Sequence, residues 1–373
     1  MPGHAPRRRD PRRALVLALV LALAACRRPA DAGGAPAPCA TAATPSAPSA
    51  SQATPRAPPG EPSASASASP GPEPVATASA SASGPRLPSR AESVVVLEAL
   101  IRKLAPLHRP LGRPAPGDWL AEHPESGQTF AEYRVGLPAL PDLAEGPSRR
   151  RTLCIQPLGP LTDAERRVVV RSGEFMRRFF GRPVRFEPEL GLELVPPEAR
   201  RTHPSWGDKQ LLAPFLLDHL LGPRLPADAM ALISFTASDL WPGMGWNFVF
   251  GQASLGDRVG VWSIHRNGDA AAGAEGFRQV LLRTMRIAVH ETGHMFSLEH
   301  CTRYRCVMNG VNSLDEADRT PAWLCPECLA KIVWATLVEP AARFRELAAF
   351  ADAEGLGELG GYYRQALAAL DAP

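Results

Sequence analysis

No apolar run in this 373-residue sequence reaches the eighteen or so residues that a membrane-spanning helix needs, which excludes a polytopic membrane protein. Composition excludes a collagen and a coiled coil as well. Cysteine is scarce, and 7 in a chain of this length are too few for a disulfide scaffold, so what they do depends on where they lie. Aromatic residues make up only 6%, and the shortage is local, because positions 27–90 contain none.

The N-terminus supplies what the rest lacks. Five arginines within the first thirteen residues precede a purely apolar stretch over 14–25, about the length of a signal-peptide core and too short to span. It ends in Leu23-Ala24-Ala25-Cys26, which resembles the lipobox of bacterial lipoproteins. The expectation is an export signal over 1–25, removed to leave an acylated Cys26 as the mature N-terminus. Residues 26–92 follow as an Ala/Ser/Pro-rich tether, with 14 of the 40 prolines in 27–90. Such a composition cannot bury enough apolar surface to offset its chain entropy. The implied location is the periplasmic or cell-surface side of a bacterial envelope, with the lipid as membrane anchor. Setting aside the +4 carried by residues 1–25 turns the formal charge of +3 into −1, so nothing argues for a nucleic-acid partner.

Larger apolar residues become periodic from about position 91. The pattern predicts a helical N-terminal extension over 93–150, with a helix at 93–104 and a short helical hairpin at 117–133. A catalytic domain over 151–338 and a helical tail over 339–373 follow. Within the domain, strands are expected at 151–158, 184–190 and 229–238, helices at 163–180, 209–221 and 275–297, and edge strands at 247–254 and 259–265. This alternation reads as an α/β (α+β) fold, a mixed β-sheet with packed helices.

The last long helix carries His290-Glu291-Thr292-Gly293-His294. Histidines four apart project from adjoining turns on one face, so both imidazoles can reach one ion, and the glutamate between them lies beside a metal-bound water. His300 follows six residues later, giving HETGHMFSLEH, similar to the elongated zinc signature of metzincins. Cys301, Cys306, Cys325 and Cys328 come next as two close pairs, the arrangement of a closed tetrahedral zinc site. In an exported protein two disulfides are the rival reading. His265 reads as a hydrogen-bonded structural histidine, and Trp206, Trp241 and Trp246 as packing residues.

The whole stretch HETGHMFSLEHCTRYRCVMNG, followed by NSLDEADRTPAWLCPECL, resembles the archaemetzincin family. The likeness extends over roughly 95–340 through DLWPGMGWNFVFGQASLGDRVGVWSIHR and, more weakly, RTLCIQPLG and GDWLAEHPESGQTF. It implies a metzincin-like zinc metallopeptidase that acts on a peptide or protein substrate and carries two zinc ions per chain, with a monomer expected. His290, His294 and His300 would be the catalytic ligands and Glu291 the general base and acid. The four cysteines would hold the structural ion, and Met308 would lie beneath the catalytic one. One position departs from the pattern: Ser297 stands where the family has a glycine that lets the chain turn toward the third histidine. A serine there costs about 1 kcal/mol or more. An impaired, tethered zinc- or peptide-binding module is therefore the alternative, and a redox protein using Cys325 and Cys328 ranks last.

Overall fold

The computed structural model describes residues 90–136 and 150–372. The expected signal, Cys26 and nearly all of the tether lie outside them. Helices α1 (Arg90–Leu104), α2 (Trp119–Glu122) and α3 (Phe130–Gly136) precede strand β1 (Thr152–Leu158) and helix α4 (Asp163–Phe180). Helix α4 begins where the sequence says it should, because Thr162 and Glu165 form a reciprocal capping box, and it ends at Gly181 in the left-handed conformation. Strands β2 (Val184–Phe186), β3 (Arg200–Thr202) and β4 (Lys209–Leu212) come next. Helix α5 (Ala213–Phe215), a π-helical turn over Leu216–Leu221, and strands β5 (Ala229–Thr236) and β6 (Asp239–Trp241) follow.

Strands β7 (Gly251–Ser254) and β8 (Val259–Ser263) lead into the long helix α6 (Gly273–Met295), then α7 (Leu314–Arg319), α8 (Pro326–Thr336), α9 (Pro340–Ala353) and α10 (Gly357–Asp371). The main sheet has the order β2-β1-β5-β8-β7, parallel except for β7, which pairs antiparallel with β8 at the edge. A second sheet has the order β3-β4-β6.

The main sheet separates two cores with the period-two alternation of a strand. Leu153, Ile155, Ala231, Ile233 and Phe235 face a cluster shared with α4 and α6, whereas Cys154 and Leu232 face a second cluster with Leu216, Leu220 and Leu240. The first cluster also takes Leu97, Leu100 and Leu104 from α1 and Phe344, Leu347 and Tyr363 from α9 and α10. Phe277, Leu281, Met285 and Ala288 anchor α6 in it as their spacing requires, with Met295 packed against it.

Two expectations need correction. The leucine-rich stretch 209–221 is not one helix. Pro214 sits in the first turn of α5, the position its fixed φ suits, and the residues before it pair as β4 with β3 and β6. Of the two expected edge strands only β7 lies at an edge, since β8 is hydrogen-bonded on both sides. The pairing of β7 starts at Gly251, later than position 247.

Candidate metal centres

His290 and His294 occupy neighbouring turns of α6, and His300 reaches them because the helix stops abruptly. The Ser297 N–H donates to the His294 carbonyl at 2.7 Å and the Leu298 N–H to the Gly293 carbonyl at 3.2 Å, the paired bonds of a Schellman termination. That turn requires a left-handed residue, and Ser297 takes it with φ 63°. The sequence departure is therefore absorbed by backbone strain, and the third histidine is still delivered. The Tyr133 hydroxyl adds a bond at 2.7 Å to the Phe296 carbonyl at the same helix end.

The tautomers of the three rings follow from their partners. His290 Nδ1 donates to the Val307 carbonyl at 2.8 Å, and His294 Nδ1 to the Leu298 carbonyl at 2.6 Å. His300 Nδ1 faces both carboxylate oxygens of Glu125, at 2.8 and 3.0 Å. A carbonyl can only accept, so in the neutral rings of His290 and His294 each Nε2 is left as a lone pair. These two lone pairs face each other at 3.0 Å, an arrangement that suits a shared cation and repels without one. His300 Nε2 is buried with no protein partner, and one ligand atom from each ring lies within 4.8 Å of the others. Three imidazole nitrogens converging on one point fit zinc.

Glu291 is fully buried, and neither carboxylate oxygen has a hydrogen-bond partner. Burial pushes its carboxyl up to about 8 and pushes the His290 imidazole down to about 3. His294 is driven the same way as His290, first by burial and then by its neighbouring histidines. A divalent cation beside these groups would favour the ionised carboxylate and the neutral imidazoles together.

The cysteines form the second centre. Cys301 and Cys325 have sulfurs 3.6 Å apart, whereas a disulfide has them at about 2.05 Å. Four thiolates around one zinc at about 2.3 Å would stand about 3.8 Å apart, close to the observed spacing. Cys154, Cys301, Cys306, Cys325 and Cys328 are all free thiols. Backbone N–H groups already point at the sulfurs: Cys325 N–H at Cys306 Sγ (3.2 Å), and Met308 N–H and Cys328 N–H at Cys306 Sγ and Cys325 Sγ (3.5 Å each). Burial first and its thiol neighbours second raise Cys306 well above the ordinary thiol value; for Cys328 the neighbours come first and burial second. A cation would relieve both.

Met308 lies between the two centres. Its carbonyl accepts from the Cys301 N–H at 2.7 Å, and a Cβ added at Gly293 would lie 2.6 Å from its sulfur, so the glycine lets the methionine pack against α6 between the two helical histidines. His265 pairs with Asp208 at 3.2 Å as a structural histidine would, whereas Trp206, though stacked on His203 with ring centroids 3.6 Å apart, is exposed, as is Trp246, so neither is the buried packing residue expected. Glu125 belongs to the same site, although no motif marks it. It lies in the loop between α2 and α3 and accepts from the Trp119 indole at 2.8 Å as well as from His300.

This chain is similar to several known proteins. The pattern of peptidase family M54 matches residues 224–333. Archaemetzincin-2 of Macaca fascicularis is 31% identical over 288 residues, covering 68% of this chain and 77% of that protein. An archaemetzincin of Thermococcus kodakarensis is 39% identical over 129 residues, 32% of this chain and 69% of that protein. The crystal structure of archaemetzincin from Methanopyrus kandleri aligns with 27% identity over 52% of this chain and 99% of that one, at a TM-score of 0.41. At 31% identity to the Macaca fascicularis protein over 77% of that relative's length, the chain belongs to the archaemetzincin family and is a zinc metallopeptidase.

Proposed function

We propose that His290, His294 and His300 hold a catalytic zinc, that Glu291 moves the proton during peptide hydrolysis, and that the four cysteines hold a second, structural zinc. The observation carrying this reading is the convergence of three imidazole nitrogens, together with a buried carboxylate on Glu291, next to His290 in α6, that no protein group satisfies. When bound, zinc would polarise the scissile carbonyl and bring the pKa of water toward about 7. Glu291 would take a proton from the attacking water and hand it to the leaving amine. β7, at the edge of the main sheet, offers backbone groups for an extended peptide to add as a strand. Replacing Glu291 with Gln keeps the shape of the side chain and removes the base. The expected result is full zinc occupancy with peptide-library cleavage slowed by about 10²–10⁴-fold. Undiminished cleavage by Glu291→Gln would remove the mechanism, and two bound zincs without cleavage by the parent protein would favour the binding module.

The domain is further proposed to work at a membrane, exported and tethered through an acylated Cys26, on the strength of the arginine-rich start, the apolar run and the Leu-Ala-Ala-Cys ending. A Cys26→Ala variant should lose incorporation of radiolabelled fatty acid and leave the membrane fraction. A variant that stays membrane-bound and labelled excludes acylation at this cysteine.

A further inference from the structure

We infer that Glu125 is a positioning residue for the catalytic metal: it fixes the tautomer and aim of His300, and the segment that carries it is built to hold it there. This rests on the reading that the three histidines hold zinc.

The three rings are oriented in different ways. His290 and His294 donate to backbone carbonyls, which no substitution removes. His300 instead meets a carboxylate 175 residues away in the chain. Each Nδ1–H bond leaves Nε2 free, but only at His300 does a negative charge sit behind the ring. An anionic partner raises the basicity of an imidazole ligand as well as aiming it.

The segment around Glu125 is fixed at many points. The Trp119 indole donates to Glu125 at 2.8 Å and meets the His300 ring edge-on, with centroids 5.4 Å apart. The Trp119 backbone N–H is held by Glu316 at 3.0 Å. A Cβ at Gly310 would lie 2.3 Å from the Trp119 ring, so the indole's place depends on that glycine. Gly127, at φ +69°, lets the chain pass within a Cβ's width of Thr302, whose hydroxyl donates to the Ser126 carbonyl at 3.1 Å. The Phe130 N–H then donates to Glu327 at 2.7 Å on α8. A loop pinned on both sides of one glutamate holds that carboxylate to a single place, as aiming a ligand requires.

The test uses the full folded protein as Glu125→Ala, Glu125→Gln and parent. Zinc affinity is measured by chelator competition, and the absorption spectrum of cobalt-substituted protein is recorded. The cysteine cluster gives thiolate-to-cobalt bands that serve as an internal control for folding. Glu125→Ala should weaken zinc binding at the histidine site by roughly 10–100-fold and shift its cobalt bands, with the thiolate bands unchanged. Glu125→Gln still offers His300 an acceptor oxygen without the charge, so it should recover the band positions but only part of the affinity. Parent-like affinity and an unshifted histidine-site spectrum in Glu125→Ala would overturn the assignment while leaving the catalytic reading intact. A parent protein with thiolate bands alone would overturn both.

Discussion

The histidine and cysteine clusters meet in the loop after α6, where His300 and Cys301 are neighbours, and are built on opposite principles. The cysteine ligands come from 28 consecutive residues, and the N–H groups aimed at their sulfurs belong to the same stretch. The result is a closed, self-contained unit. The histidine ligands need the end of α6, the Val307 carbonyl and a carboxylate from the N-terminal extension, and they leave Glu291 without a partner. A site meant to hold satisfies every group locally, and a site meant to react keeps one group unsatisfied and depends on distant parts of the chain to stay in place.

The largest effect that could break this comparison is at Cys306. With structural zinc worth about 10–16 kcal/mol in small zinc-binding domains, Cys306→Ser should lose both metals and the near-ultraviolet signature of the folded domain. His294→Ala, by contrast, should keep one ion per chain and a native melting transition while losing activity. Metal analysis of the two variants decides the point, and a Cys306→Ser protein that retains peptidase activity would make the two centres independent. The loss expected for Glu291→Gln comes next, because it is a change in rate with both metals in place. The smallest effect sharpens the picture at the turn between His294 and His300. Ser297→Gly should relieve the left-handed strain and stabilise the protein by about 1 kcal/mol in a denaturant titration. A neutral or destabilising result there would mean that the serine makes a compensating contact at this exposed turn.

Much of this was legible in the sequence because local chemistry decided it. Thr162, Glu165 and Gly181 mark both ends of α4, and histidines four apart on a helix face one another whatever the rest of the fold does. Pro214 also carried a signal, dividing strand from helix in the 209–221 stretch, but the leucines around it hid the break. Helix α8, absent from the elements expected from the sequence, starts at the Cys-Pro-Glu-Cys turn, with Cys325 as its N-cap and Pro326 in its first turn. The three-residue strands β3 and β6 carry no period long enough to read. Glu125 was illegible for a different reason: one glutamate in a polar loop looks like any solvated side chain until tertiary docking brings His300 to it.

The peptide between Val307 and Met308 has a consequence for how the protein matures. The Val307 carbonyl orients His290, and the N–H of the next residue points at Cys306 Sγ. On the two-zinc reading the cysteine unit must close before that carbonyl is in position, so loading is ordered, with the holding ion first and the working ion second. A newly made chain would then stay inert until its cysteines had found metal, and premature oxidation of those thiols would leave the histidines without their frame.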